Sequence, residues 1–152
     1  MRTGTYFISL VLFLNSHILR ADSVDEDAQI SSIEMLGEAL FFDVDLSQNR
    51  TQACATCHMP SAGFADKRSN IVNGAVSLGD DGKSLGDRNA PTAAYASFSP
   101  LFHKNTEGQY VGGQFLDGRE SDLKEQAGGP PLNPLEMGMP DKPSVVARLQ
   151  EK

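Results

Sequence analysis

The sequence predicts a mainly α fold in which short helices are joined by long loops. Apolar residues recur at helical spacing in a few short segments, and no segment shows the alternation expected of a β-rich protein. The 152-residue chain holds 14 glycines and 8 prolines, a share above average that favours long connections. Aromatic residues make up 7% of the chain and tryptophan is absent, so the side chains alone can form only a modest core.

Five helical segments are expected between glycine-rich loops. The first begins at Ser31, which has capping-box spacing with Glu34, and ends near Asp43. The others, in chain order, are a short helix over 53–58 capped by Thr51, one or two turns over 91–96, a helix from a Ser121 cap through Ala127, and a last helix opened by Asp141 and Pro143. Residues 70–89 and 108–118 are predicted to be loops. The last helix is expected to be still running at Lys152.

The N-terminus has the pattern of a secretory signal peptide over residues 1–21. Arg2 gives a positive start, residues 6–14 form an apolar run, and Ala21 is a small residue suited to cleavage. Residues 22–29 are then an acidic arm, and residues 30–152 form one domain. We therefore expect a periplasmic protein without a stable membrane span after processing, although an uncleaved anchor is the alternative.

The net charge of −7 and the pI near 4.8 restrict the partners of the chain. An acidic chain without a basic cluster is a poor candidate for binding nucleic acid or an anionic membrane. Two cysteines are too few for a disulfide-rich scaffold.

Residues 54–58 form a CxxCH motif, which in an exported protein is typical of c-type haem attachment. Cys54 and Cys57 lie three positions apart and can each form a thioether with a haem vinyl group, and His58 can then bind the iron. A thioredoxin-like CxxC, a zinc site or a plain disulfide are the alternatives. We interpret the chain as a cytochrome c-like haem domain.

The second axial face of the iron decides between two functions. Met137 or Met139 could bind there and give an electron carrier, with His103 as a further candidate ligand. An open face with a nearby base could instead give a peroxidase, and Glu136 lies in the same turn as the methionines. Spacing alone favours a solvated surface role for Glu136.

The chain resembles the N-terminal half of the bacterial di-haem cytochrome c peroxidases, the family that includes the MauG enzymes. The resemblance rests on segments in family order: 36–43, 46–47, 54–58, 63–66, 88–92, 117–119, 123–127 and 129–138.

The resemblance implies roles for residues of the chain. Cys54, Cys57 and His58 would hold the peroxidatic haem, and Glu136 would move protons on its distal side. Gln126 and Pro130 would shape that distal pocket. It further implies that Asn89 is one ligand of a structural calcium and that Arg119 pairs with a haem propionate. Hydrogen peroxide and a second haem domain or small electron-donor protein would be the partners.

The chain departs from the family pattern at three places. A second CxxCH is missing from the sequence, Leu116 stands where the family has a tryptophan, and no histidine lies between His58 and His103. The missing half and the abrupt end at Lys152 predict a domain truncated at its C-terminus. Three functions therefore stay open: a peroxidatic domain, a mono-haem electron carrier, and a haem-binding fragment without turnover.

Overall fold

A computed structural model describes residues 32–152 of the chain. The regular elements of this range are α1 (Ser32–Phe41), α2 (Cys54–Cys57), the two-stranded antiparallel hairpin β1 (His103–Lys104) and β2 (Tyr110–Val111), α3 (Leu123–Ala127) and α4 (Lys142–Gln150). Short 3₁₀ turns lie at Val44–Leu46, Pro60–Ala62, Ala96–Phe98 and Pro130–Leu132. The regular structure of the described range is thus mainly helical, as predicted. The predicted signal peptide 1–21, the acidic arm 22–29 and the Ser31 cap lie outside the described residues.

Several predicted helix starts are wrong by one or more residues. Helix α2 has Ala53, not Thr51, at its N-cap, and the Thr56 hydroxyl accepts a hydrogen bond from the Ala53 backbone N–H at 2.9 Å. Helix α3 is capped by Asp122, not Ser121, because the Asp122 carboxylate accepts from the Glu125 N–H at 2.9 Å.

Two further corrections concern the loops. The helical turn expected over 91–96 lies later, at Ala96–Phe98, and the predicted loop 108–118 contains the second strand of the hairpin.

Helix α4 begins after its Asp141 cap as predicted, but it ends at Gln150 rather than running to Lys152. Within residues 32–152 no helix is long and apolar enough to cross a membrane.

The described range has a small apolar core, formed by Leu46, Ala53, Met137 and Met139. Next to it lies a polar cluster that we call the Asp80 knot, which joins the loops 45–52, 77–82 and 133–139. The side chain of Asp80 accepts hydrogen bonds from the Asn49 N–H at 2.6 Å and from the Thr51 hydroxyl at 2.6 Å. The Asp80 N–H in turn donates to the Glu136 carbonyl at 2.7 Å. The knot therefore ties the segment before α2 to the turn that carries Glu136.

Close backbone contact in the knot requires a glycine. A Cβ atom on Gly79 would lie 2.8 Å from the Leu135 carbonyl oxygen, which is closer than side-chain carbons approach. Gly79 therefore lets the loop 77–82 pack directly against the backbone of the turn 133–139.

Helix α4 is attached to the same region through its last turns. Arg148 donates from Nη1 to the carbonyls of Asp45 and Ser47, both at 3.2 Å, and from Nη2 to the carbonyl of Gln48 at 3.0 Å. These bonds join the helix to three backbone carbonyls of the segment 45–48.

Candidate functional site

One cavity of about 430 Å³ brings eight of the predicted site residues together. The predicted residues in its lining are Cys54, Cys57, His58, Asn89, Arg119, Gln126, Pro130 and Glu136. Met137 also lines the cavity, whereas Met139 is buried in the core and His103 lies exposed in β1. A volume of this size is typical of a site that binds a small molecule or cofactor.

Helix α2 and the turn after it present His58 to the cavity. The His58 Nδ1 lies 3.1 Å from the Phe64 carbonyl oxygen, so an Nδ1–H donates to it and leaves Nε2 free to bind a metal. The Phe64 carbonyl also accepts from the Ala93 N–H at 3.1 Å. Phe64 has φ of 61°, a left-handed conformation that is strained for a non-glycine residue. In this conformation its carbonyl accepts from both the His58 ring and the Ala93 N–H.

Cys54 and Cys57 are both free thiols in the structure. Burial raises the pKa of the Cys54 thiol above its ordinary value. Burial likewise raises the pKa of Cys57, and the guanidinium of Arg68 partly offsets this effect. The Arg68 Nη2 lies 3.2 Å from the Cys57 sulfur, and the same guanidinium forms an ion pair of 2.6 Å with the buried carboxylate of Asp66.

Glu136 lies in a tight turn after the Pro130–Leu132 3₁₀ segment, and its side chain reaches the cavity. The Asn133 Nδ2 donates to the Glu136 carboxylate at 2.8 Å. Burial raises the pKa of Glu136 above its ordinary value, and the hydrogen bond from Asn133 only partly offsets this rise. The carboxyl group is therefore half-buried in the wall of the cavity, whereas spacing alone favours a solvated position on the surface.

Gln126 and Pro130 lie on the same wall as Glu136. Gln126 is in the last turn of α3, and its carbonyl accepts from the Gly129 N–H at 3.0 Å. The Pro130 carbonyl accepts from the Met137 N–H at 3.3 Å, which joins the 3₁₀ segment to the turn of Glu136. This wall is thus one connected stretch of backbone from α3 to Met137.

Arg88 and Arg119 form a third part of the wall, which we call the Arg88–Arg119 pair, and Asp117 bonds to both of them. The Asp117 Oδ2 lies 2.8 Å from the Arg88 Nη1 and 3.0 Å from the Arg119 Nη1. Desolvation would raise the pKa of Asp117, but hydrogen bonds from Arg88 and Arg119 prevail and hold it at about 2. Asp117 is therefore ionised at neutral pH.

Asn89 lines the cavity, and its Nδ2 donates to the Ala75 carbonyl at 3.3 Å. Among residues 32–152 no group of three or more His, Cys, Asp or Glu side chains is placed to hold a metal ion. The calcium that the resemblance implies is thus not assembled by such side chains in this range, and Asn89 as its ligand stays a prediction.

The residues of the cavity fit a covalently held haem. Two thiols and one imidazole with a free Nε2 meet at one end of α2, and Phe41, Leu116 and Leu123 give apolar surface to the lining. The third wall carries cations that suit the carboxylates of such a group. The donor set of one histidine with two cysteines three apart is that of c-type haem attachment.

Sequence reasoning missed three residues that contact the site. Arg68 contacts Cys57, Asn133 holds Glu136, and Arg88 shares Asp117 with Arg119. Arg88 and Asn133 lie inside the segments that carry the family resemblance, so the motifs contained them without indicating their role. Arg68 lies outside these segments, and its contact depends on the fold of the turn 59–68.

The family model described as di-haem cytochrome c peroxidase matches residues 31–152 of the chain. The chain is 55% identical over 120 residues to the methylamine utilization protein MauG of Paracoccus denitrificans, in an alignment covering 79% of this chain and 31% of that protein. It is 40% identical over 116 residues to the cytochrome c peroxidase Ccp of Escherichia coli, covering 76% of this chain and 21% of that protein.

The chain is also similar to the solved structure of a di-haem peroxidase. The crystal structure of the di-haem peroxidase BthA from Burkholderia thailandensis aligns with a TM-score of 0.74 at 32% identity, over 78% of this chain and 29% of that one. The chain therefore spans less than a third of the length of each of these relatives.

Proposed function

The chain belongs to the di-haem cytochrome c peroxidase family, and on that premise we propose that it is the peroxidatic haem domain of such an enzyme. The domain is a periplasmic, cytochrome c-like haem domain that reduces hydrogen peroxide to water with electrons from a second haem domain or an electron-donor protein. The observation that carries the proposal is that His58 and the half-buried Glu136 line one cavity together with both cysteines.

Cys54 and Cys57 would hold the haem through thioethers, and His58 would bind its iron through Nε2. The haem, when bound, would supply the redox chemistry for the reduction of peroxide. The chain supplies the orientation: the bond from His58 Nδ1 to the Phe64 carbonyl fixes the imidazole ring.

The overall reaction, H₂O₂ + 2 e⁻ + 2 H⁺ → 2 H₂O, needs a proton to leave one peroxide oxygen and to reach the other. Glu136 is suited to this transfer because its carboxylate lies in the cavity and its pKa is raised toward neutral pH. Asn133 orients the carboxylate through its 2.8 Å bond. Gln126 can donate a hydrogen bond to peroxide but cannot accept the proton as a base.

The proposal is tested with the full chain matured in a host that makes c-type cytochromes. We expect haem that resists extraction into acidified organic solvent, a high-spin ferric spectrum, and a rapid change of the Soret band on mixing with H₂O₂. A variant with Cys54→Ala and Cys57→Ala should release its haem in the same extraction. Extractable haem in the parent would overturn the haem c assignment, and a Soret band unaffected by H₂O₂ would overturn the peroxidatic role.

A second candidate function, electron transfer, is favoured by one observation. Met137 is 3% exposed and lines the same cavity, so its sulfur is a candidate sixth ligand. Met137→Leu conserves the side-chain volume and removes the thioether sulfur. An unchanged ferric spectrum in this variant supports the peroxidatic domain, whereas loss of a methionine–iron absorption band supports the carrier.

Asn89 and the second haem domain belong to the same proposal. If a second half of the enzyme packs against this domain, Asn89 would give one oxygen ligand to a calcium ion and the second half would supply the others. Calcium-dependent association of the two halves, lost on Asn89→Ala, is the corresponding test.

A further inference from the structure

We propose that Arg88 acts together with Arg119 as a carboxylate-binding site that holds the haem propionates, with Asp117 as the internal carboxylate that keeps the two guanidinium groups side by side. This inference rests on the proposed haem-binding function and extends it to Arg88 and Asp117. The site would bind a group that carries two carboxylates at one edge. Haem is such a group, and it fits this cavity.

The charges in the cavity point to this site. Of the described residues that line the cavity, Arg88 and Arg119 are the two that carry a permanent positive charge. The thioethers would fix the vinyl edge of the haem at Cys54 and Cys57, and the propionates extend from the opposite edge of the ring. A local cationic partner would stabilise two carboxylates that enter a protein of net charge −7.

The distances show that the two guanidinium groups are neighbours. Both Nη1 atoms lie within 3.0 Å of one oxygen of Asp117. Two arginines repel each other unless a carboxylate lies between them, so Asp117 makes the pair stable and leaves it with one net positive charge. An arginine has five N–H donors. Within residues 32–152, the Nε and Nη2 groups of Arg88 and Arg119 form no hydrogen bond, which leaves them for a ligand.

The turn 114–118 holds the pair in place. The Arg88 Nη1 donates to the Phe115 carbonyl at 2.8 Å, and the Arg119 guanidinium lies 4.0 Å from the centre of the Phe115 ring. Phe115 and Leu116 have φ values of 65° and 66°, a left-handed conformation that costs energy for both residues. Strain of this kind persists where the surrounding contacts fix it, and here both arginines contact Phe115.

The test measures how the protein discriminates between haemin and haemin dimethyl ester, whose propionates are neutral. The unmatured chain is titrated with each compound in the ferric state, in which no thioether forms. We expect the parent to bind haemin at least tenfold more tightly than the ester, since hydrogen bonds to charged groups contribute roughly that much. Arg88→Gln should reduce this ratio about tenfold, and Arg88→Lys should retain part of it. Lys104→Gln, which removes an exposed charge in β1, is the matched control and should leave the ratio unchanged.

If Arg88 had a purely structural role, Arg88→Gln would weaken the binding of haemin and of its dimethyl ester equally. That result would overturn the inference but not the proposal that the chain binds haem. Failure of the parent to bind either compound would overturn the proposed function itself.

A second measurement uses the covalently loaded protein, which does not depend on the stability of the unmatured chain. Loss of a cation beside the propionates favours ferric iron, so the midpoint potential should be lower in Arg88→Gln than in the parent and in Lys104→Gln. Equal potentials would also overturn the inference.

Discussion

Glu136 shows how a single residue acquires its chemistry from its surroundings. Its backbone is held by the Asp80 N–H and its carboxylate by the Asn133 amide, so both ends of the residue are fixed. Burial raises its pKa, which brings the carboxyl group closer to the pH at which a base must act. The same residue in an exposed turn would titrate near its ordinary value and would have no fixed direction.

Glu136→Gln should retain the haem and its spectrum but slow the reaction with H₂O₂ by about 100-fold or more, because the amide keeps the shape and removes the base. The measurement is a stopped-flow record of the H₂O₂-induced Soret change in a single turnover. Glu125→Gln, on the exposed side of α3, is the control and should react like the parent. Gln126→Ala should slow the reaction with H₂O₂ less than Glu136→Gln does. Equal rates for Glu136→Gln and the parent would contradict the role of the carboxylate.

The raised pKa of Glu136 has a defined consequence for the pH dependence of this rate. The base form is present above the folded pKa, so the rate should fall as the pH is lowered, and it should do so at a pH above 4.5, the ordinary value for Glu. Glu136→Gln should remove this dependence. A rate that declines with the same profile in both proteins would assign the titration to another group.

At the scale of elements, the loops of this domain are ordered by the Asp80 knot rather than by sheets or long helices. Asp80→Ala would remove the carboxylate that accepts from the Asn49 N–H, the Thr51 N–H and the Thr51 hydroxyl. We expect a loss of about 3 kcal/mol in the free energy of unfolding, measured by urea denaturation. Asp81→Ala is the matched control, since Asp81 is exposed and bonds only to neighbours in its own loop; it should lower the free energy of unfolding much less than Asp80→Ala does. If both variants lost the same free energy of unfolding, the claim that the Asp80 carboxylate orders these loops would be refuted.

The same elements show what the sequence could and could not predict. The helix periodicity of α1, the cap at Asp141 and the CxxCH helix are local signals, and the structure confirms those elements. Spacing predicts Thr51 as the cap of α2, but its hydroxyl bonds to Asp80, twenty-nine positions away. Contacts at such separation leave no local pattern. The roles of Arg68 and Arg88 were hidden for the same reason, because each depends on a turn brought close by folding.

For the whole molecule, acid should destabilise the fold through Asp80 and Asp66. Burial would raise the pKa of each, but hydrogen bonds from Thr51 to Asp80 and from Arg68 to Asp66 prevail and lower it. The stabilisation is therefore present above the ordinary pKa of 3.8 and is lost as the pH falls through the lowered folded values. Urea unfolding at pH 6 and at pH 3 should show a smaller difference in Asp80→Asn than in the parent. An identical difference would exclude Asp80 as a source of the acid sensitivity.

The contacts of α4 also have a topological consequence. Lys152 forms ion pairs with Asp43 at 2.6 Å and Asp45 at 3.3 Å, and Arg50 pairs with Glu151 at 2.5 Å. The residues after α4 are therefore joined by charge to the segment that follows α1, and the loops that line the cavity lie between these two neighbouring segments. Salt screens ion pairs between exposed side chains, so the attachment of the two segments should weaken as the ionic strength rises.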